Sequence, residues 1–113
     1  MKQDVKEKWI SDLRSGNYKQ AQQSLRNREG YCCLGVLCES MGYKDWKDAG
    51  EDDYSLRGFY HKGEDNVYIT GDLNEQLLEE AGLTRKDTQQ LITLNDTDNY
   101  TFEDIATYVE EKL

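Results

Sequence analysis

The stretch Tyr31-Cys32-Cys33-Leu34-Gly35-Val36-Leu37-Cys38 carries no charge in a chain whose charged residues make up 33% of the sequence, and it holds all 3 cysteines. Whatever the chain folds into must bury this run. It is far too short to cross a bilayer, so it is core and not membrane. Strand and helix both fit so short a run. As a strand, Cys32, Leu34, Val36 and Cys38 alternate with Cys33, Gly35 and Leu37, and both faces need burial. As a helix, Cys33, Leu34, Leu37, Cys38 and Met41 fall on one side at three- and four-residue spacing. The helix is preferred, entered from a short extended piece at Tyr31-Cys32. Glu39 and Ser40 then face water, and Gly42 ends the helix in a left-handed turn. Gly35 reads as a place where a neighbouring element comes close and a branched residue would clash.

Small buried hydrophobes are the plainest reading of the cysteines. A sharper one places Cys32 and Cys33 near a helix N-terminus, where unpaired N–H groups stabilise a thiolate that reaches solvent. A zinc site is weaker still. Cys32, Cys33 and Cys38 offer no C-x2-C pair, and the only histidine, His61, sits in a glycine-rich loop. An odd cysteine count with two adjacent residues is no secreted disulfide framework.

A length of 113 residues bounds the chain to one domain, 1–113, with one modest core. Apolar content is 36%, so that core is thin, and the 8 tyrosines suit half-buried positions and contact surfaces. A net charge of −9 disfavours nucleic acid and anionic membranes and favours a basic partner surface. Met1 to Lys8 is charged, with no apolar targeting segment, and the expected compartment is the cytoplasm.

In chain order, residues 4 to 14 read as a helix, with Val5, Trp9 and Leu13 at four-residue steps and Gly16 as the stop. Trp9 is expected to pack on the central run. Tyr18, Ala21 and Leu25 fit either a short helix or irregular chain, and Asn27-Arg28-Glu29-Gly30 is a turn. Residues 43 to 66, rich in carboxylates and glycine, read as loop with Trp46 and Phe59 as anchors. Within this region Leu56 to Tyr60 could pair with the strand-like Asn66 to Thr70 across a Lys62-Gly63 turn. A loop this polar is functional or simply a decorated surface.

The last third holds three short amphipathic helices. Asp72 with Glu75 is read as the cap of the first, which Gly82 ends. Thr84 with Asp87 opens the second, which Asn95-Asp96 breaks, and Thr101 with Asp104 opens the third. The expected class is α+β, mainly α: about five short helices around residues 31–42, with a small β-hairpin near 56–70.

Chemistry is sparse. There is no phosphate loop and no nucleophile elbow. Asp96-Thr97-Asp98 begins like a calcium loop, but Thr101 and Thr107 stand where Gly and Glu are required. Nothing places His61 beside Cys32 as a nucleophile pair. Carboxylates abound, and no pair stands out as an acid/base couple. The expectation is no catalytic residue, no cofactor and no metal.

Several landmarks together resemble a family of uncharacterised small proteins of phages and prophages. They are Trp9, Leu13 through Gln20, Leu25, the Tyr31–Cys38 run, Leu94-Asn95-Asp96 and Phe102 through Ala106. Residues 43 to 71 lie outside the resemblance, and Ala21-Gln22 stands where members often have glycine. The resemblance implies a phage accessory protein acting in a bacterial host cytoplasm, and brings no activity with it.

Three functions are weighed. The first is a non-enzymatic binder or inhibitor of a host protein with a basic surface, such as a defence or nucleic-acid-binding protein, contacted through Asp45, Trp46, Glu51, Asp52, Asp53 and Tyr54. The second is a small-molecule binder, for a nucleotide signal, using Arg14, Lys19, Gln20, Arg26, Arg28 and Tyr31, if those cations converge. The third is a thiol or metal protein using the cysteines.

Overall fold

The structure, a computed structural model, describes residues 1–61 and 64–113, with side chains described for 1–57 and 68–113. Five helices are α1 (Gln3–Arg14), α2 (Cys33–Ser40), α3 (Glu75–Ala81), α4 (Arg85–Asp96) and α5 (Phe102–Lys112). Five strands are β1 (Arg26–Asn27), β2 (Gly30–Tyr31), β3 (Trp46–Gly50), β4 (Asp53–His61) and β5 (Glu64–Ile69). The fold is α+β and mainly helical. The Lys62-Gly63 turn and the side chains of Phe59 and His61 lie outside the described residues.

The uncharged run is a helix, entered from extended Cys32 as its composition demands. Cys33 through Cys38 are all buried, so α2 is apolar on every side and must be wrapped. It packs on α1 and α4, while α1 also packs on α5. The Trp9 indole donates to the Cys33 carbonyl at 3.0 Å, which leaves that large buried ring with no orphaned N–H. At its C-terminus, Tyr43 N–H donates to Cys38 O at 3.0 Å and Gly42 N–H to Glu39 O at 2.9 Å. This is a Schellman stop, and the φ of +92° at Gly42 is what a glycine permits. Glu39 and Ser40 do not simply face water. Both are half-buried, with Ser40 donating to Asp12 and Glu39 accepting from Trp46.

Capping boxes open α4 at Thr84/Asp87 and α5 at Thr101/Asp104, as the sequence predicts. The cap of α3 is Asn74, not Asp72. Asp72 is drawn instead to Arg85 at 3.0 Å, and Asn74 accepts from Leu77 N–H at 3.0 Å. α4 ends on Asp96, at the expected break, and Asn95 is still helical with its side chain partnered in the core.

The largest correction concerns residues 43 to 66, which are mostly sheet rather than loop. The sheet is antiparallel, ordered β2-β1-β4-β3, with β5 also paired to β4. Trp46 stands opposite Leu56, and Leu56 opposite Ile69, so one face carries apolar groups inward. Polar residues fill the other face and hide the alternation. The segment from Tyr18 to Leu25 is irregular, not helical. Its amides bond outward: Ala21 N–H to Tyr31 O at 2.8 Å and Leu25 N–H to Thr70 O at 2.7 Å. A helix would have needed those donors for itself.

One pH effect follows from packing. The Tyr43 hydroxyl donates to both carboxylate oxygens of Glu80, at 2.7 and 2.6 Å. Burial, then the Glu80 hydrogen bond and charge, push its pKa from 10.0 up to about 12. Because the folded value is the higher, this contribution to stability is fully present below pH 10.0 and lost as pH rises towards about 12. Chemical denaturation of Tyr43→Phe across that window should show a shallower fall in stability than the parent. Equal slopes would refute the assignment.

Candidate functional site

The sequence landmarks at Gln20, Tyr31 to Cys38 and Asn95-Asp96 meet in one buried network. Asn95 is fully buried, and its Oδ1 accepts from Cys33 N–H at 3.2 Å and from Gln20 Nε2 at 2.9 Å. Its Nδ2 donates to Ala21 O at 2.9 Å and Asp96 Oδ1 at 2.8 Å. Asp96 in turn accepts from Gln23 N–H at 3.1 Å. Asn95 thus caps the N-terminus of α2 from another helix, a role Cys32 cannot fill. The network holds the irregular segment against the core and presents nothing reactive. Its warning sign was a polar residue at a core position of α4, four places after buried Leu91.

The thiols are equally closed. Desolvation raises Cys32 to about 12 and pushes Cys33 and Cys38 well above their ordinary value, outweighing the nearby helix N-terminus. At least two of the three should resist a thiol reagent until denaturant is added. Rapid native labelling of all three would contradict the burial. Among the described residues, no group of three His, Cys, Asp or Glu side chains could hold a metal ion.

What remains at the surface is the sheet end that holds β1, β2, β3 and the start of β4. Here the structure joins halves of two different candidate sets. Arg26 stands beside Tyr31 in the register of β1 and β2. Its guanidinium carbon lies 4.6 Å from the Tyr54 ring centre, 5.0 Å from Tyr31 and 5.8 Å from Trp46. Tyr18 meets Tyr31 edge-on at 5.2 Å, and Tyr31 meets Trp46 at 6.0 Å. Behind them Glu39 accepts from the Trp46 indole at 2.7 Å. Burial first, and then the Glu39 charge, raise the Tyr18 and Tyr31 phenols, so both stay neutral donors. Sequence reading missed Tyr18 and Glu39 as members of this group.

Next to the box, the β3–β4 connection is two residues long, Glu51-Asp52, between paired Gly50 and Asp53. Glu51 has φ +51° and Asp52 φ +65°, the left-handed pair that a tight hairpin loop requires and that Asn-Gly fills most readily. Each such non-glycine residue costs on the order of 1 kcal/mol. Arg28 steadies the tip: its N–H donates to Asp52 O at 3.0 Å and its Nε to Asp52 Oδ1 at 3.0 Å. Both partners are exposed, so the ion pair is screened and adds little stability. Asp45 is exposed at the base of β3, and Asp53 begins β4 opposite Asn27. An open polar groove of about 810 Å³ runs from the tip past Gln22, Gln23, Asn27 and Arg28 to Thr70.

The basic residues do not gather into one cluster. Arg14 reaches Glu103 and Glu110 at 3.2 Å on α5. The Gln20 side chain points to Asn95 and the Tyr100 carbonyl, while the Lys19 carbonyl accepts from Tyr31 N–H. Arg28 is tied to the hairpin, and Arg26 is boxed by rings. The hairpin and the sheet end beside it present a face that mixes carboxylates with half-buried aromatic rings.

No helix among the described residues is long and apolar enough to cross a membrane. Neither a curated protein nor a solved structure matches the chain. A family model described as a domain of unknown function, DUF8296, matches residues 1–113, and the chain belongs to that family.

Proposed function

We propose that the chain is a phage accessory protein without catalytic activity that acts in a bacterial host cytoplasm by binding a basic surface of a host protein. The β3–β4 hairpin is its contact. The observation that carries this reading is the tip itself. Two carboxylates occupy left-handed positions where Asn-Gly would be more stable, and strain of this kind is retained where it serves a function. Net charge −9 adds long-range attraction for a basic partner, and the phage resemblance supplies the setting. The adjoining groove, rimmed by Glu29, Glu51, Asp52 and Asp53, suits basic side chains better than an anionic nucleotide.

The test is capture from host lysate with two baits, the parent and Glu51→Asn/Asp52→Gly/Asp53→Asn. The variant removes three charges while giving the turn its preferred residues, so it should fold at least as well. The expected result is a basic protein retained by the parent at low salt and largely lost with the variant. Equal retention by both baits, or no captured protein, counts against the proposal.

A further inference from the structure

We infer that Arg26, with the hydroxyls of Tyr31 and Tyr54, is a receptor for one oxyanion group, a carboxylate or a phosphate. The site differs from the acidic contact proposed above, since the group it takes is an anion. Arg14, Arg28 and Arg85 each hold carboxylates, and Arg57 donates to the Tyr68 hydroxyl. Arg26, in so acidic a chain, has neither: among the described residues the contacts of its guanidinium are with the three rings. The Tyr31 and Tyr54 hydroxyls likewise make no hydrogen bond there.

The neighbouring carboxylates are engaged elsewhere. Glu39 is held by Trp46 and Tyr18, and Asp48 by Gly50 N–H and Arg28. Rings attract a guanidinium without offering its N–H groups an oxygen acceptor, so the five donors can still serve a ligand. A half-buried, immobilised fork loses little entropy on binding and matches the two oxygens of an oxyanion. Each phenol hydroxyl can donate a further bond.

The test is a titration of nitrogen-labelled protein at constant ionic strength, following the Arg26 Nε–H and Trp46 Nε1–H resonances. Sodium acetate and phenyl phosphate are the two probes, with sodium chloride as reference. A saturating shift is expected with acetate or phenyl phosphate, the tighter of the two naming the source. The Trp46 response should vanish in Arg26→Met, which keeps the apolar stem on the rings. Arg26→Lys keeps the charge but not the fork and should bind about tenfold more weakly, which also serves if Arg26→Met does not fold. Linear shifts equal to those of chloride with both probes, or undiminished saturation in Arg26→Lys, would overturn the inference. No partner protein is involved, so a negative result leaves the hairpin proposal standing.

Discussion

Replacing Gly35 with valine (Gly35→Val) is expected to leave little or no folded protein. A Cβ at this position would land on the Leu25 carbonyl oxygen. That peptide has nowhere to go. Its oxygen accepts from Cys32 N–H at 3.0 Å, and Leu25 N–H is tied to Thr70 O at 2.7 Å. Relief would need either the α2 entry or the end of β5 to move, and both are packed. Overpacking typically costs about 1–3 kcal/mol and costs more where, as here, the obstacle is fixed backbone, out of the ~5–15 kcal/mol that holds a domain of this size. Gly71→Ala is the control, because nothing lies near its Cβ and its φ is unremarkable. It should leave the urea midpoint within experimental error. A Gly35→Val protein with the parent's midpoint would mean that α2 and the Leu25 segment do not touch.

Asn95→Leu is expected to destabilise by about 3–5 kcal/mol, although leucine is apolar and the site is buried. The loss comes from what is left behind. Cys33 N–H and the Ala21 carbonyl would each lack a partner inside the protein, and Gln20 would keep only the Tyr100 carbonyl. Gln20→Ala removes one arm that water can replace near the surface and should cost only about 1 kcal/mol. Hydrogen exchange adds a local readout: amides of residues 20 to 25 should open faster in Asn95→Leu. If Asn95→Leu costs no more than Gln20→Ala, the segment is held by something other than this asparagine.

Helices were readable because their signals are local. Both capping boxes, the Gly42 stop and the four-residue steps of Val5, Trp9 and Leu13 stand in a few adjacent positions. The hairpin β3–β4 was not, because its turn residues are Glu51 and Asp52 rather than Asn-Gly, and its inward residues Trp46, Tyr54 and Leu56 are spaced among charges. The core role of Asn95 at the end of α4 was not readable, since its partners Cys33 and Gln20 are 62 and 75 residues away. The candidate site was legible only in pieces. Arg26 with Tyr31, and Trp46 with Tyr54, stood in separate sets, and only the pairing of β1 with β4 brings them together.

These assignments divide the molecule. The landmark residues of the two ends build a core and tie down a segment, and the proposed contact is the hairpin outside them. The most direct test is the association rate of the captured complex as a function of ionic strength. Exposed charges act over about 8 Å at physiological salt, so attraction between the hairpin and a basic surface speeds encounter and is screened. For the parent, association should slow steeply as salt rises while dissociation changes little. For Glu51→Asn/Asp52→Gly/Asp53→Asn, association should be slower at low salt and nearly flat. An association rate independent of salt, or identical in parent and variant, would contradict the account.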